Sequence, residues 1–134
     1  MPLIMKTTLS ALPLDAKTRF RVQVKHAVAI GPGKADVLQA IVETGSIAEA
    51  GRRLGMSYQR VWSLVRAMNG DFVEPLVLTQ RGGAAGGGAG LTPLGAKVLS
   101  IYRAIERDAG RAVARRLPQL LELIRPEVGA KPPL

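Results

Sequence analysis

The chain has 134 residues, enough for one domain with a real core. Its 19 Lys and Arg outnumber its 10 Asp and Glu, for a formal net charge of +9 and a pI near 10.9, so an anionic partner is the first expectation. The lack of cysteine excludes a disulfide framework, a thiol nucleophile and a Cys-based metal site, and no apolar run approaches a membrane span.

Residues 1–18 show no clear period, and Pro13 interrupts them, so a loosely ordered start is expected. No long apolar stretch precedes a small-residue cleavage site, which predicts a cytoplasmic N-terminus rather than a signal peptide. From Arg19 to Ile30 the pattern changes. Phe20, Val22, Val24, His26, Val28 and Ile30 alternate with Arg19, Arg21, Gln23, Lys25, Ala27 and Ala29. Period two predicts one half-buried strand with a basic outer face over its first half. His26, on the apolar phase, has no partner in the sequence. That favours a packed or strand-end histidine over a ligand or proton donor.

Gly31-Pro32-Gly33 reads as a turn. Lys34 to Thr44 follows as a helix with Val37, Leu38, Ile41 and Val42 on one face, and Gly45 stops it. Ser46 starts the next helix, its hydroxyl capping a backbone N–H while Glu49 reaches back in a capping box. That helix runs to about Leu54. Gly55 tolerates positive φ at the turn, and Ser57 caps a second helix. Two helices joined so tightly need small residues and an apolar seam where they cross. Ala50 and Gly51 are the small residues; Leu54, Met56, Val61 and Leu64 make the seam. Val61, Leu64, Val65 and Met68 form one buried stripe at i, i+3, i+4 and i+7. Gln59, Ser63 and Arg66 point the other way, with Arg60 and Trp62 on the flanks. An amide, a hydroxyl and a guanidinium suit base edges and phosphates. The plainer alternative is an ordinary two-helix corner.

Leu76 to Arg81 is β-prone, with Pro75 at its entry. Gly82-Gly83-Ala84-Ala85-Gly86-Gly87-Gly88-Ala89-Gly90 then invites a nucleotide-binding reading. A P-loop needs Gly-Lys-Ser/Thr at its end, and a dinucleotide fingerprint needs a βαβ context with a downstream acid; neither is present. The expectation is the tip of a β-hairpin, a wing, with Arg81 at its base and Gly82 and Gly83 free to approach phosphates; a passive loop is the alternative. Thr92-Pro93 opens a helix as N-cap and first residue. Leu94, Val98, Ile101, Tyr102, Ile105 and Ala109 form a stripe too long for a three-helix core to cover. Pro118 should kink or restart the helix, and Leu117, Leu120, Leu121 and Ile124 continue the apolar face. A partner chain is the expected cover, an intramolecular one the alternative. Residues 126–134 read as a frayed tail.

Strand, G-P-G, leading helix, E-T-G-S-I, G-M-S-Y-x-x-x-W, M-N, E-P-L-V, R-G-G with its glycine run and L-T-P-L-G occur here in that order. In this combination the chain resembles the N-terminal DNA-binding domain of molybdate-responsive ModE-type regulators, from about Arg19 to Asp108. LysR-type regulators share the related E-x-G-S-x-x-x-A-A helix pattern. The resemblance implies a mainly α fold with a small β wing: a winged helix-turn-helix over residues 19–92, followed by dimerisation helices over residues 93–125. It implies a bacterial homodimer on double-stranded operator DNA. Carried over by position, Ser57, Tyr58, Gln59 and Arg60 open the recognition helix, Arg81 to Gly90 form the wing, and the helix from Pro93 serves dimerisation. Gln59 and Val61 stand where the family often has a basic residue and an alanine, so no operator sequence is carried over. The β-rich molybdate-binding domains usual in the family have no counterpart, and a stand-alone form is expected.

The expected DNA-contacting residues are therefore Ser46, Ser57, Tyr58, Gln59, Arg60, Ser63, Arg66, Arg81, Gly82 and Gly83. The expected dimer interface is Leu94, Val98, Ile101, Tyr102, Ile105, Leu117, Leu120, Leu121 and Ile124. No cofactor, metal or small-molecule effector is indicated, and the setting expected is the cytoplasmic nucleoid. A general nucleic-acid-binding or protein-docking module is the second reading. An enzyme is remote, because one histidine and ten scattered carboxylates offer no dyad.

Overall fold

The computed structural model of the chain describes residues 20–24, 27–83 and 86–126. In order, the elements are β1 (Val22–Val24), β2 (Ala27–Ile30), α1 (Pro32–Thr44), α2 (Ile47–Leu54), α3 (Tyr58–Asp71), β3 (Val77–Gly83), β4 (Gly86–Leu91) and α4 (Pro93–Leu121). The described residues fall into two compact units, one ending at Glu106 and the other beginning at Arg107. The mainly helical fold with a two-stranded wing is the winged helix-turn-helix expected from the sequence.

The expected strand from Arg19 to Ile30 is instead a hairpin. β1 and β2 pair antiparallel, with Val22 opposite Ile30, Gln23 opposite Val28 and Val24 opposite Ala27, and a register shift after Val22. A single strand of that length would leave its backbone N–H and C=O groups without a partner strand. Folding back pairs them, and period two alone cannot tell the two arrangements apart. His26 and residues 1–18 lie outside the described residues. The G-P-G segment also differs from expectation: α1 begins at Pro32, with Gly31 as N-cap. Proline is suited to the first helical position because the N–H it lacks has no helical acceptor there.

The core of the first unit is the packing of three helices beneath the strand roots. Val37, Leu38 and Ile41 of α1, Ala50 of α2, and Val61, Val65 and Met68 of α3 are all but fully buried. Each large apolar side chain so buried contributes about 1.5–3 kcal/mol. Leu76 and Val77 bring the start of the wing into this core. From α4, Leu99 and Tyr102 enter it as well, so the unit runs past Thr92, where the sequence reading places the end of the winged domain, to Glu106. Tyr102 is 2% exposed; its ring stacks on Phe20 at 4.9 Å and its hydroxyl donates to the Phe20 carbonyl at 3.0 Å.

The glycine run belongs to the expected hairpin wing: β3 runs to Gly83 and β4 begins at Gly86. β3 and β4 pair Val77 with Leu91, Leu78 with Gly90, Thr79 with Ala89 and Gln80 with Gly88. Glycine is a poor strand former, but the ladder to β3 supplies the backbone partners. The far edge of β4 is pinned too, by the Ala89 N–H donating to the Gly45 carbonyl at 2.9 Å.

Pro118 neither breaks nor restarts α4, which is one helix to Leu121. The helix ends within a turn of the proline. The lost N–H and the ring clash fall on the carbonyl of residue 114, and the helix carries on past the proline for only three more residues. Beyond it the Leu123 and Ile124 N–H groups bond back to Leu120 and Leu121 at 2.9 and 3.3 Å. The helical stretch expected to reach residue 125 thus closes in a turn.

Candidate nucleic-acid interface

The turn between α2 and α3 is built from local chemistry. Ser46 caps α2 by accepting the Glu49 N–H at 3.1 Å. The reciprocal half of the expected capping box is absent. The Ser46 N–H bonds to Thr44 Oγ1 at 3.3 Å instead, and the Glu49 carboxylate takes Arg52 Nε at 3.1 Å. That hydrogen bond, reinforced by the Arg52 charge, holds the Glu49 carboxyl below its ordinary pKa. Gly55 takes the left-handed conformation at φ 67° and ends α2. Gly51 has a different reason to be glycine: a Cβ there would lie 2.8 Å from the Met56 carbonyl oxygen. Ser57 then caps α3, accepting the Arg60 N–H at 3.0 Å.

With the turn fixed, α3 buries Val61, Leu64, Val65 and Met68. Tyr58, Gln59, Arg60, Ser63 and Arg66 are left exposed on the outside, as the stripe requires. Trp62 is half-buried between these faces. Tyr58 meets it edge-on at 6.3 Å, and the Arg66 guanidinium lies 5.8 Å from its ring centroid. The neighbouring cations of α2 are engaged elsewhere: Arg52 pairs with Glu49, and Arg53 with Glu43 at 2.8 Å. Ser46 and Ser57 act as caps, so their hydroxyl oxygens are already used as acceptors, while each hydroxyl proton can still be donated to a phosphate.

The wing is fixed to α3 by residues whose role the local pattern does not reveal. Asn69 Oδ1 accepts the Leu76 and Val77 N–H groups at 2.8 and 3.1 Å, and Nδ2 donates to the Val77 carbonyl at 3.0 Å. From the other strand root, the Thr92 hydroxyl donates to the Pro75 carbonyl at 2.7 Å and accepts the Gly95 N–H at 2.9 Å. Thr92 N–H donates to the Leu76 carbonyl at 2.9 Å. Gly95 lets α4 meet that same carbonyl, since a Cβ would fall 2.1 Å from the Leu76 oxygen. A glycine in the first turn of a helix is the signal that could have revealed this. Arg81, Gly82 and Gly83 are placed by their backbone at the far end of β3, away from this root.

A hollow of about 330 Å³ lies where β3 and β4 meet the turn after α1, lined by Gly45, Leu78, Gln80 and Gly88 to Leu91. It presents no ionisable side chain. Among the described residues no group of His, Cys, Asp or Glu could hold a metal ion.

The residues expected at a dimer interface divide by position. Tyr102 is an internal core residue, and Leu94 and Val98 are half-buried against that core, because this part of α4 covers its own unit. Ile101 and Ile105 face outward, 50% and 40% exposed. In the second unit Leu120 and Ile124 are exposed, and Leu117 and Leu121 are half-buried.

Residues 34–96 match the model of the bacterial regulatory helix-turn-helix protein, lysR family. Among curated proteins, the chain is 42% identical over 85 residues to the molybdenum-pterin-binding protein MopB of Rhodobacter capsulatus, covering 63% of this chain and 32% of that one. It is 32% identical over 117 residues to the molybdenum transport protein ModE of Azotobacter vinelandii, covering 84% of this chain and 43% of that one. The chain thus spans less than half the length of these relatives. Among solved structures, the crystal structure of a CbnR_DBD–DNA complex matches 66% of this chain and 95% of its own, at 26% identity and a TM-score of 0.53. Over residues 34–96, which hold α2, the turn, α3 and the wing root just described, the chain is similar to the bacterial regulatory helix-turn-helix proteins of the lysR family and, over a longer stretch, to ModE-type proteins.

Proposed function

We propose that the chain is a transcription regulator that binds double-stranded DNA sequence-specifically as a homodimer. α3 enters the major groove, and the glycine-rich wing lies on the adjacent backbone or minor groove. The observation that carries this reading is the division of α3. Its four-residue stripe is buried, which fixes the helix, and Tyr58, Gln59, Arg60, Ser63 and Arg66 are presented together on the free side. Those groups can donate to purine acceptors, pair with amino donors and contact phosphates. The DNA-bound structure with the same fold supports the same reading. The net charge of +9 supplies the sequence-independent attraction.

One such helix contacts few base pairs, and two related by a dyad read successive major grooves about 34 Å apart. The exposed Ile101, Ile105, Leu120 and Ile124 and the half-buried Leu117 and Leu121 of α4 and its closing turn are the proposed contact between copies. No helix among the described residues is long and apolar enough to cross a membrane. The molybdenum in the relatives' names belongs to chains more than twice the matched length, and the proposal does not extend to it.

The test is enrichment of duplexes from a randomised pool by the purified chain. The proposal expects a motif with two-fold symmetry and half-sites one helical turn apart. Binding without any shared motif would favour a general nucleic-acid binder.

A further inference from the structure

We infer that Trp62 is a positioning residue for base recognition: its ring holds the Arg66 guanidinium in a reading pose before DNA arrives. The inference rests on the proposed DNA-binding role of α3. Tyr58, Trp62 and Arg66 follow at i, i+4 and i+8, so they form one ridge along the helix. Trp62 is half-buried and packed against the core, which fixes its ring. The ring therefore belongs to the rigid part of the unit, although it borders the exposed face. Tyr58 meets one side edge-on at 6.3 Å, with the ring planes 75° apart. The Arg66 guanidinium lies 5.8 Å from the ring centroid.

Among the described residues Arg66, like Arg60 of the same helix, has no carboxylate holding it, but it alone of the two lies on an aromatic ring. Arg52, Arg53, Arg103 and Arg111 are each paired with a carboxylate, and among the described residues no carboxylate pairs with Arg66. A carboxylate partner would occupy the N–H groups needed for DNA. An aromatic face instead attracts the cation through its quadrupole and leaves the guanidinium edge free to donate. A base presenting two acceptors, such as the O6 and N7 edge of guanine, is the chemistry this edge fits. The arginine, already restricted by the ring, loses less freedom when it binds.

The test uses the full chain, a fluorescently labelled duplex enriched from a randomised pool by the wild type, and a random-sequence duplex of the same length. Trp62→Leu should weaken binding to the enriched duplex by about three- to thirtyfold, and to the random duplex by less. Trp62→Phe, which keeps an aromatic face, should recover most of the loss. In an Arg66→Ala background, Trp62→Leu should have little further effect, since the ring acts through the arginine. Arg66→Lys leaves the core untouched and keeps the charge, but it lacks the planar edge. It should lose nearly as much as Arg66→Ala on the enriched duplex. Additive losses at Trp62 and Arg66, or full retention by Arg66→Lys, would overturn the inference while leaving DNA recognition by α3 intact. Failure of the wild type to enrich any sequence would overturn both.

Discussion

Asn69 and Val77 are joined as two strands would be, the carboxamide accepting the Val77 N–H at 3.1 Å and donating to its carbonyl at 3.0 Å. The last turns of α3 are thereby tied to the first residue of the wing. Reading helix and wing can then meet DNA as one rigid piece rather than as two parts ordered separately on binding.

This relationship predicts the consequence of removing the carboxamide. Asn69→Leu strands the Leu76 and Val77 N–H groups in the buried wing root, at about 1–3 kcal/mol for each group left unpaired. Asn69→Asp keeps the acceptor and loses only the donor, so its cost should be smaller. Urea unfolding of the two variants measures the difference, and equal losses would show that the acceptor is dispensable.

Gly95 and Gly70 should respond oppositely to the same substitution. Both lie in the end turns of helices, where alanine is favoured over glycine by at most about 1 kcal/mol, the helix-interior value. At Gly70 a Cβ meets nothing within 4 Å, so Gly70→Ala should stabilise. At Gly95 it meets the Leu76 carbonyl at 2.1 Å, so Gly95→Ala should cost about 1–3 kcal/mol or more through overpacking. Thermal unfolding of the pair tests the contrast.

What could be read from the sequence follows the range of the interactions concerned. Ser46, Ser57 and Gly55 act within a turn of where they stand, and their roles were visible as spacing. The stripe from Val61 to Met68 was visible because a helix repeats its own period. The partners of Asn69 and Gly95 lie on a strand root that no local pattern brings near, so their roles were not visible. The strand expected from Arg19 failed because alternation describes a hairpin as well as a straight strand. The glycine run was legible as the tip of a hairpin wing, and β3 and β4 form that wing. Pro118 was expected to kink or restart the helix; α4 does not restart there, because propensity is a weak prior against an established helix. Tyr102 lay on the same stripe as Ile101 and Ile105, and the sequence could not divide that stripe into a side facing its own core and a side facing out.

Assembly should depend on the outward side alone. Ile105→Glu with Leu120→Glu alters residues that are 40% and 55% exposed, so folding should be unaffected. In a dimer those carboxylates would be buried without partners, and separation returns them to water. Mass in solution should fall to that of one chain, and affinity for a two-fold duplex should fall with it. A double variant that stays dimeric would move the contact elsewhere on the surface.

Leu64 and Arg66 lie two residues apart on α3, and they should separate stability from recognition. Leu64→Ala should cost about 2–5 kcal/mol of folding stability, as truncation of a core leucine does. Arg66→Ala, on the exposed face, should leave the unfolding curve close to wild type.

The central claim is that the free face of α3 reads sequence. It is tested most directly by titrating wild type and Arg66→Ala against an enriched duplex and a random one at the same salt concentration. The account predicts that Arg66→Ala loses about 1–3 kcal/mol on the enriched duplex and clearly less on the random one. Equal losses on both duplexes would make Arg66 a phosphate contact and contradict the claim.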